Sequence, residues 1–255
     1  MNDWQYFFVP QYSPIPEGLG FGIFSPTHLA VLAGLMLATA ALIACYRRSD
    51  SAARGRIRVT VGVLAFALEA VRQVAYLAQG LYTPDVLPLH MCAVTTFFVF
   101  IDALHSTQWT RQFLYAMGSW GALCALLFPD WASRPLLNIY TWQSFLIHAC
   151  LFAYALMRVV AGEIVPEVRQ LWRVAVILAV VVPVSLLLNG QLGTNFWFLA
   201  TAAPGSPLEP IQTFAGGYYI PFLLFLVVCV WALLYLPWEL ARRKSSSGNH
   251  PNPSS

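Results

Sequence analysis

Charge is what this sequence lacks. Only 10% of its 255 residues are Asp, Glu, Lys or Arg, against about 25% in a soluble domain. With 58% hydrophobic residues and a mean hydropathy of +0.64, that shortage excludes a water-soluble globule. A metal-finger or CxxC redox spacing is also missing. Cys45, Cys92, Cys124, Cys150 and Cys229 are scattered, so they read mainly as small apolar fillers of helix interfaces. No repeat of fixed period and no half-to-half symmetry is visible, which weighs against an inverted-repeat transporter. The opening MNDWQYFF has neither a basic n-region nor a small-residue cleavage site, so no signal peptide is expected. Its Trp4, Tyr6, Phe7 and Phe8 read as an interfacial aromatic segment. The net charge of +3 gives no reason to expect a nucleic-acid partner, because the basic residues sit beside apolar runs, where they meet anionic lipid.

Long apolar runs are what the chain has. Seven are of spanning length, roughly 17–25 residues each: Pro26–Cys45, Ile57–Gln79, Leu87–Leu104, Phe113–Phe128, Thr141–Val160, Leu171–Leu188 and Tyr218–Leu240. The fourth is short, and a six-helix alternative would make it re-entrant. The fold class expected is all-α: one polytopic membrane bundle over residues 1–244, followed by a Ser/Pro/Asn-rich cytoplasmic tail, 245–255, read as disordered. Twelve of the fourteen lysines and arginines fall in alternate loops, and Arg134 alone lies on the other side. The positive-inside rule then places the N-terminus outside and the C-terminus inside, which requires an odd number of spans. The expected location is the plasma membrane of a bacterium, as a multi-pass protein.

Ionisable groups in hydrocarbon are costly and face cavities or partners. Glu69 and Arg72, three apart on one helix face, His90 and His148 all map to the outer half. They suggest a polar pocket open to the outside. Glu69 and Arg72 read either as an ion pair holding helices together or as an anion-binding arginine oriented by the carboxylate. His90 and Cys92 open the third run and are two apart, so on a regular helix they diverge by about 200°. Ser25-Pro26 reads as a helix cap, which puts His28 in a first turn, as a solvated interfacial group or a pocket member. Asp102 and His105 belong to the inner boundary and read as structural. The Gly- and Pro-broken stretch 192–210 resembles a lid over the outer pocket, to which Asn189, Asn195 and Tyr218 or Tyr219 would contribute.

The order and spacing of Phe24-Ser25-Pro26-Thr27-His28, Glu69-Ala70-Val71-Arg72, Leu87-Pro88-Leu89-His90-Met91-Cys92, His148 and Gly193-Thr194-Asn195-Phe196 resemble the YwaF-like bacterial integral membrane proteins, related to the transmembrane protein 164 family. The animal relatives look like membrane acyltransferases acting on phospholipids. The resemblance implies a cysteine of the third-run motif as nucleophile and a histidine of a neighbouring span as base. The leading expectation is therefore a lipid acyltransferase or hydrolase in which Cys92 is the nucleophile or His90 its partner, and His148 the general base. Glu69, Arg72, His28, Asn189 and Asn195 would bind a phospholipid substrate drawn from the surrounding membrane lipids. No cofactor and no metal is required by that reading. Two alternatives remain open: a metal site built from His28, His90, His148 and Glu69, and a transporter or ligand-binding protein whose pocket only binds.

Overall fold

The computed structural model describes residues 3–10 and 13–247. Every regular element among them is a helix. Six stretches are long and apolar enough to cross a membrane: 26–48, 51–78, 84–104, 139–160, 168–192 and 208–244. They contain α1 (Pro26–Arg48), α2 (Ser51–Ala78), α3 (Met91–Leu104), α6 (Ile139–Val160), α7 (Leu171–Leu192) and, at the C-terminal end, α8 (Leu208–Ala215) and α9 (Tyr219–Ser247). This is a multi-pass membrane protein. The fourth expected span is also helical and longer than its apolar run. It comprises α4 (Gln108–Phe113), a π-helical turn (Leu114–Ser119) and α5 (Trp120–Leu127). At 1.5 Å per residue its length is about 30 Å.

Local chemistry sets the helix ends. The Ser25 hydroxyl accepts from His28 N at 3.2 Å, with Pro26 in the first turn. The Asp50 carboxylate accepts from Ala53 N at 2.7 Å, and Thr107 with Thr110 forms a reciprocal cap for α4. Asn138 accepts from Tyr140 N and Thr141 N while its amide donates to Tyr6 O and Val9 O. One side chain thus starts α6 and ties down the N-terminal aromatic segment. Gly193, at φ +67, ends α7 in the left-handed conformation that glycine adopts without steric cost.

Side-chain bonds show that successive passes alternate direction. At one end, His28 of α1 bonds Leu126 O at 2.9 Å, Arg72 of α2 bonds Val86 O, and Trp197 after α7 donates to Leu89 O. At the other end, Tyr46 of α1 donates to Glu163 beyond α6 at 2.7 Å. There Arg158 of α6 bonds Asp102 of α3, and Tyr235 of α9 donates to Gln112 of α4. The 108–127 segment therefore runs between the two ends of the bundle and returns the chain from the second end to the first. Its glycines let it press onto α3: a Cβ on Gly118 would lie 2.9 Å from Thr95 Cγ2, and one on Gly121 would overlap the Met91 methyl.

The second end carries the basic loops and a buried ionic network. Arg158 and Asp102 are fully buried, and Arg158 also bonds Glu163 and Ser106. Asp102 further accepts from Tyr154, Thr110 and Ser106. Asp102 is thus structural, as expected, and His105 forms the C-cap of α3. The helix α9 continues through Ser247, so the first residues of the expected tail are helical. The remainder, 248–255, and Asn2 at the other terminus, lie outside the described residues.

Candidate functional site

A cavity of about 540 Å³ opens within the first end of the bundle. Its polar wall comes from α2 (Glu69, Arg72), the start of α3 (His90, Cys92, Thr95), the loop after α5 (Asp130) and α6 (Gln143, Ser144, His148). The rest is apolar, from Met117 and Leu151 to Leu178 on α7 and Leu223, Val227 and Val230 on α9. Leu224, half exposed on α9, also lines it, so the cavity wall reaches the outer surface of the bundle there. The lid contributes Trp197, Phe198 and Leu199. Trp197 and Phe198 have φ of 62° and 52°, uncommon for residues with a bulky side chain.

The short α3 brings Cys92 to the depth of the other groups. The span opens with a 3-10 turn at Pro84–Val86 and a non-helical stretch, so the helix starts only at Met91. His90 is the residue before the first turn, with extended backbone (φ −63°, ψ 153°). The helical divergence of His90 and Cys92 therefore does not apply, and both line the cavity. The His90 Nε2–H donates to Asp85 O at 3.0 Å, and its ring meets Phe196 edge-on at 5.0 Å. The first-turn N–H groups of α3 lack helical acceptors by geometry, and the His90 side chain does not cap them.

His148 is buried, nine residues into α6, about 14 Å along the axis. Its Nδ1 lies 2.7 Å from Ser144 O. A carbonyl only accepts, so Nδ1 carries the proton, and in the neutral ring Nε2 holds the lone pair. The ring stacks on Trp131 at 5.1 Å between centroids and 21° between planes.

Glu69 and Arg72 form a bidentate pair, 3.0 Å and 2.7 Å. Gln73 donates to Glu69 at 2.6 Å and to Val86 O, and Arg72 also donates to Val86 O. The ion-pair reading and the cavity-lining reading thus both describe these residues.

Three sequence-predicted members lie elsewhere. His28 is fully buried rather than solvated; its Nδ1 accepts from Phe24 N and its Nε2 donates to Leu126 O. Asn189 accepts from Thr194 Oγ1 and Phe196 N and donates to Phe196 O, shaping the lid from beneath. Asn195 accepts from Ala200 N and Thr201 N and donates to Thr201, folding the lid on itself. Tyr219 donates to Phe198 O, and Tyr218 is exposed. With His28 held apart, the three-histidine set is not assembled. Among the described residues no group of three or more His, Cys, Asp or Glu is placed to hold a metal.

Asp130 and Trp131 were not anticipated. In sequence they are an ordinary outer-loop pair; only the turn closed by Ala132 N to Pro129 O and Arg134 N to Trp131 O folds them inward. Asp130 is half-buried, and burial pushes its carboxyl up to about 6.

The profile of the TMEM164 family matches residues 23–235. This chain belongs to the TMEM164 family. The match extends from just before His28 to Tyr235, so it takes in every element that lines the cavity of this TMEM164-family protein. No curated protein and no solved structure matches the chain.

Proposed function

We propose that this membrane protein is a lipid acyltransferase or lipid hydrolase working through Cys92 and His148. The observation that carries the reading is that a thiol and an imidazole whose Nε2 holds the lone pair line one cavity. In the first step the Cys92 sulfur attacks the ester carbonyl carbon, and His148 Nε2 takes the thiol proton. The oxyanion forms beside the first-turn N–H groups of α3. Collapse breaks the ester C–O bond, His148 returns the proton to the leaving oxygen, and a thioester remains on Cys92. Water or a lipid hydroxyl then attacks the thioester, with His148 again taking the proton, and the thiol is regenerated.

A lipid substrate is supported by the apolar wall and its reach to the outer surface of the bundle at Leu224. The Glu69–Arg72 pair and His90 form the polar rim against which a headgroup would rest. The asymmetry of basic residues supports a cavity that opens on the outer face, with the C-terminus in the cytoplasm of a bacterium.

The test is turnover of phospholipid vesicles by the purified, reconstituted protein. Cys92→Ala and His148→Ala are each expected to abolish turnover while both variants remain folded. A mass shift of one acyl group on Cys92 should appear in a quenched reaction. Full turnover by Cys92→Ala removes the thiol from the mechanism; lipid binding without turnover by the unmodified protein favours the purely binding alternative.

A further inference from the structure

The imidazole beside a serine nucleophile is ordinarily held and charge-balanced by a carboxylate on Nδ1–H, and the imidazole beside a papain-like cysteine is held by an asparagine side chain. In this protein that proton goes to a neutral peptide carbonyl, Ser144 O. Neither carboxylate of the cavity bonds the ring. Glu69 is occupied by Arg72 and Gln73, and Asp130 makes no side-chain bond to His148.

What touches the ring instead is Trp131. Its indole lies nearly parallel to the imidazole, 21° apart, with centroids at 5.1 Å. It is 4% exposed, and Phe145 meets it edge-on at 5.4 Å and 86°. The turn from Pro129 to Arg134 fixes the backbone that carries it. The face of an indole is negative and attracts a cation within about 6 Å, most strongly when both are desolvated.

We propose that Trp131 is a positioning residue that stands in for the missing carboxylate. Its face holds the imidazole in the plane that directs Nε2 into the cavity, and it stabilises the imidazolium formed when His148 takes a proton. The proposal rests on His148 acting as the base. A desolvated cation–π contact of about 2 kcal/mol corresponds to roughly a thirty-fold change in rate at 1.36 kcal/mol per tenfold.

The experiment compares Trp131→Leu with Trp131→Phe and Trp131→Tyr in the reconstituted protein. Trp131→Leu should lower kcat about thirty-fold with KM changed less than threefold, and the aromatic variants should recover most of the loss. Wild-type kcat in Trp131→Leu overturns the proposal. So does a Trp131→Phe protein as slow as Trp131→Leu, because shape alone would then explain the site. A second measurement needs no turnover. In micelles, the imidazole ¹⁵N signals of ¹⁵N-histidine protein, with His148 assigned from the His148→Ala difference, should show the Nδ1–H tautomer in wild type and Trp131→Phe. In Trp131→Leu, or in Trp131→Ala should the leucine variant not fold, the two tautomers should mix. An unchanged tautomer in the folded aliphatic variant refutes the positioning role. Turnover by Cys92→Ala or His148→Ala refutes the Cys92–His148 mechanism separately, and leaves the tautomer result standing on its own.

Discussion

Removing either partner of the buried Asp102–Arg158 pair should destabilise the protein, and by unequal amounts. Breaking a buried pair costs about 3–5 kcal/mol because one charge is left uncompensated. Arg158 without Asp102 still has Glu163 at 3.0 Å, so Asp102→Leu should fall near the lower figure. Asp102 without Arg158 has only the hydroxyls of Tyr154, Thr110 and Ser106. Neutral partners stabilise a carboxylate less than a guanidinium does, so Arg158→Leu should fall near the upper figure. Hydrogen bonds between transmembrane helices average only about 0.6 kcal/mol, so the ionic term decides the order. Against a total stability of about 5–15 kcal/mol, either loss is large. The assay is unfolding of the purified protein in detergent, for the two single variants and the Asp102→Leu/Arg158→Leu double variant. The double variant should be more stable than Arg158→Leu, because no unpaired charge remains. A double variant as unstable as the sum of the singles, or an Asp102→Leu less stable than Arg158→Leu, refutes this account.

His28→Ala should destabilise by about 1–3 kcal/mol, because the donor on Phe24 and the buried acceptor on Leu126 lose their partner, while kcat in the folded fraction stays unchanged; a loss of kcat at full stability would return His28 to the site. Burial raises the Asp130 carboxyl to about 6, so the folded state holds this proton more tightly than the unfolded chain; stability from this group is full below about pH 4 and falls as pH rises toward 6. The stability of Asp130→Asn relative to wild type should therefore increase across that window, as followed by melting temperature against pH. A cytoplasm-dependent reporter fused after Lys244 should be active in bacteria; inactivity refutes the proposed orientation.

The spans were legible because hydropathy and helix length are coupled in a bilayer, and the cavity polar groups were legible because charge in hydrocarbon is rare. Glu69, Arg72, His90 and His148 share one cavity for that reason, and Cys92, which the family resemblance supplied, lines it with them. Boundaries were less legible. The helix α2 begins at Ser51, six residues before its apolar run, where Arg54 folds back onto Tyr46 O and Arg47 O. The fourth helical segment extends back to Gln108 because Thr110 and Gln112 are buried at the basic end by Asp102 and Val165, so polar residues there belong to the interior. Its π turn inserts an extra residue and breaks the 3.6-residue period on which pattern reading depends. Depth alone cannot separate a histidine ring facing a cavity from one spent on two backbone groups, as His28 is. Asparagines near the lid were likewise spent on its backbone. Trp131 was hidden because its role depends on a turn and a ring stack, and neither leaves a periodic trace.

The hydrogen bonds that tie α9 to the rest of the bundle fall at Tyr219 and then from Trp231 onward, at Leu234, Tyr235, Trp238, Glu239 and Arg242. The residues between them, which include the cavity-facing Leu223, Leu226 and Val227, contribute shape and no polar anchorage. That division separates two kinds of evolutionary freedom. The lower part of the helix is constrained by the fold, while the upper part can exchange one aliphatic side chain for another, reshaping the chamber without touching the chemistry on α3 and α6 or the ionic network that keeps the helices together.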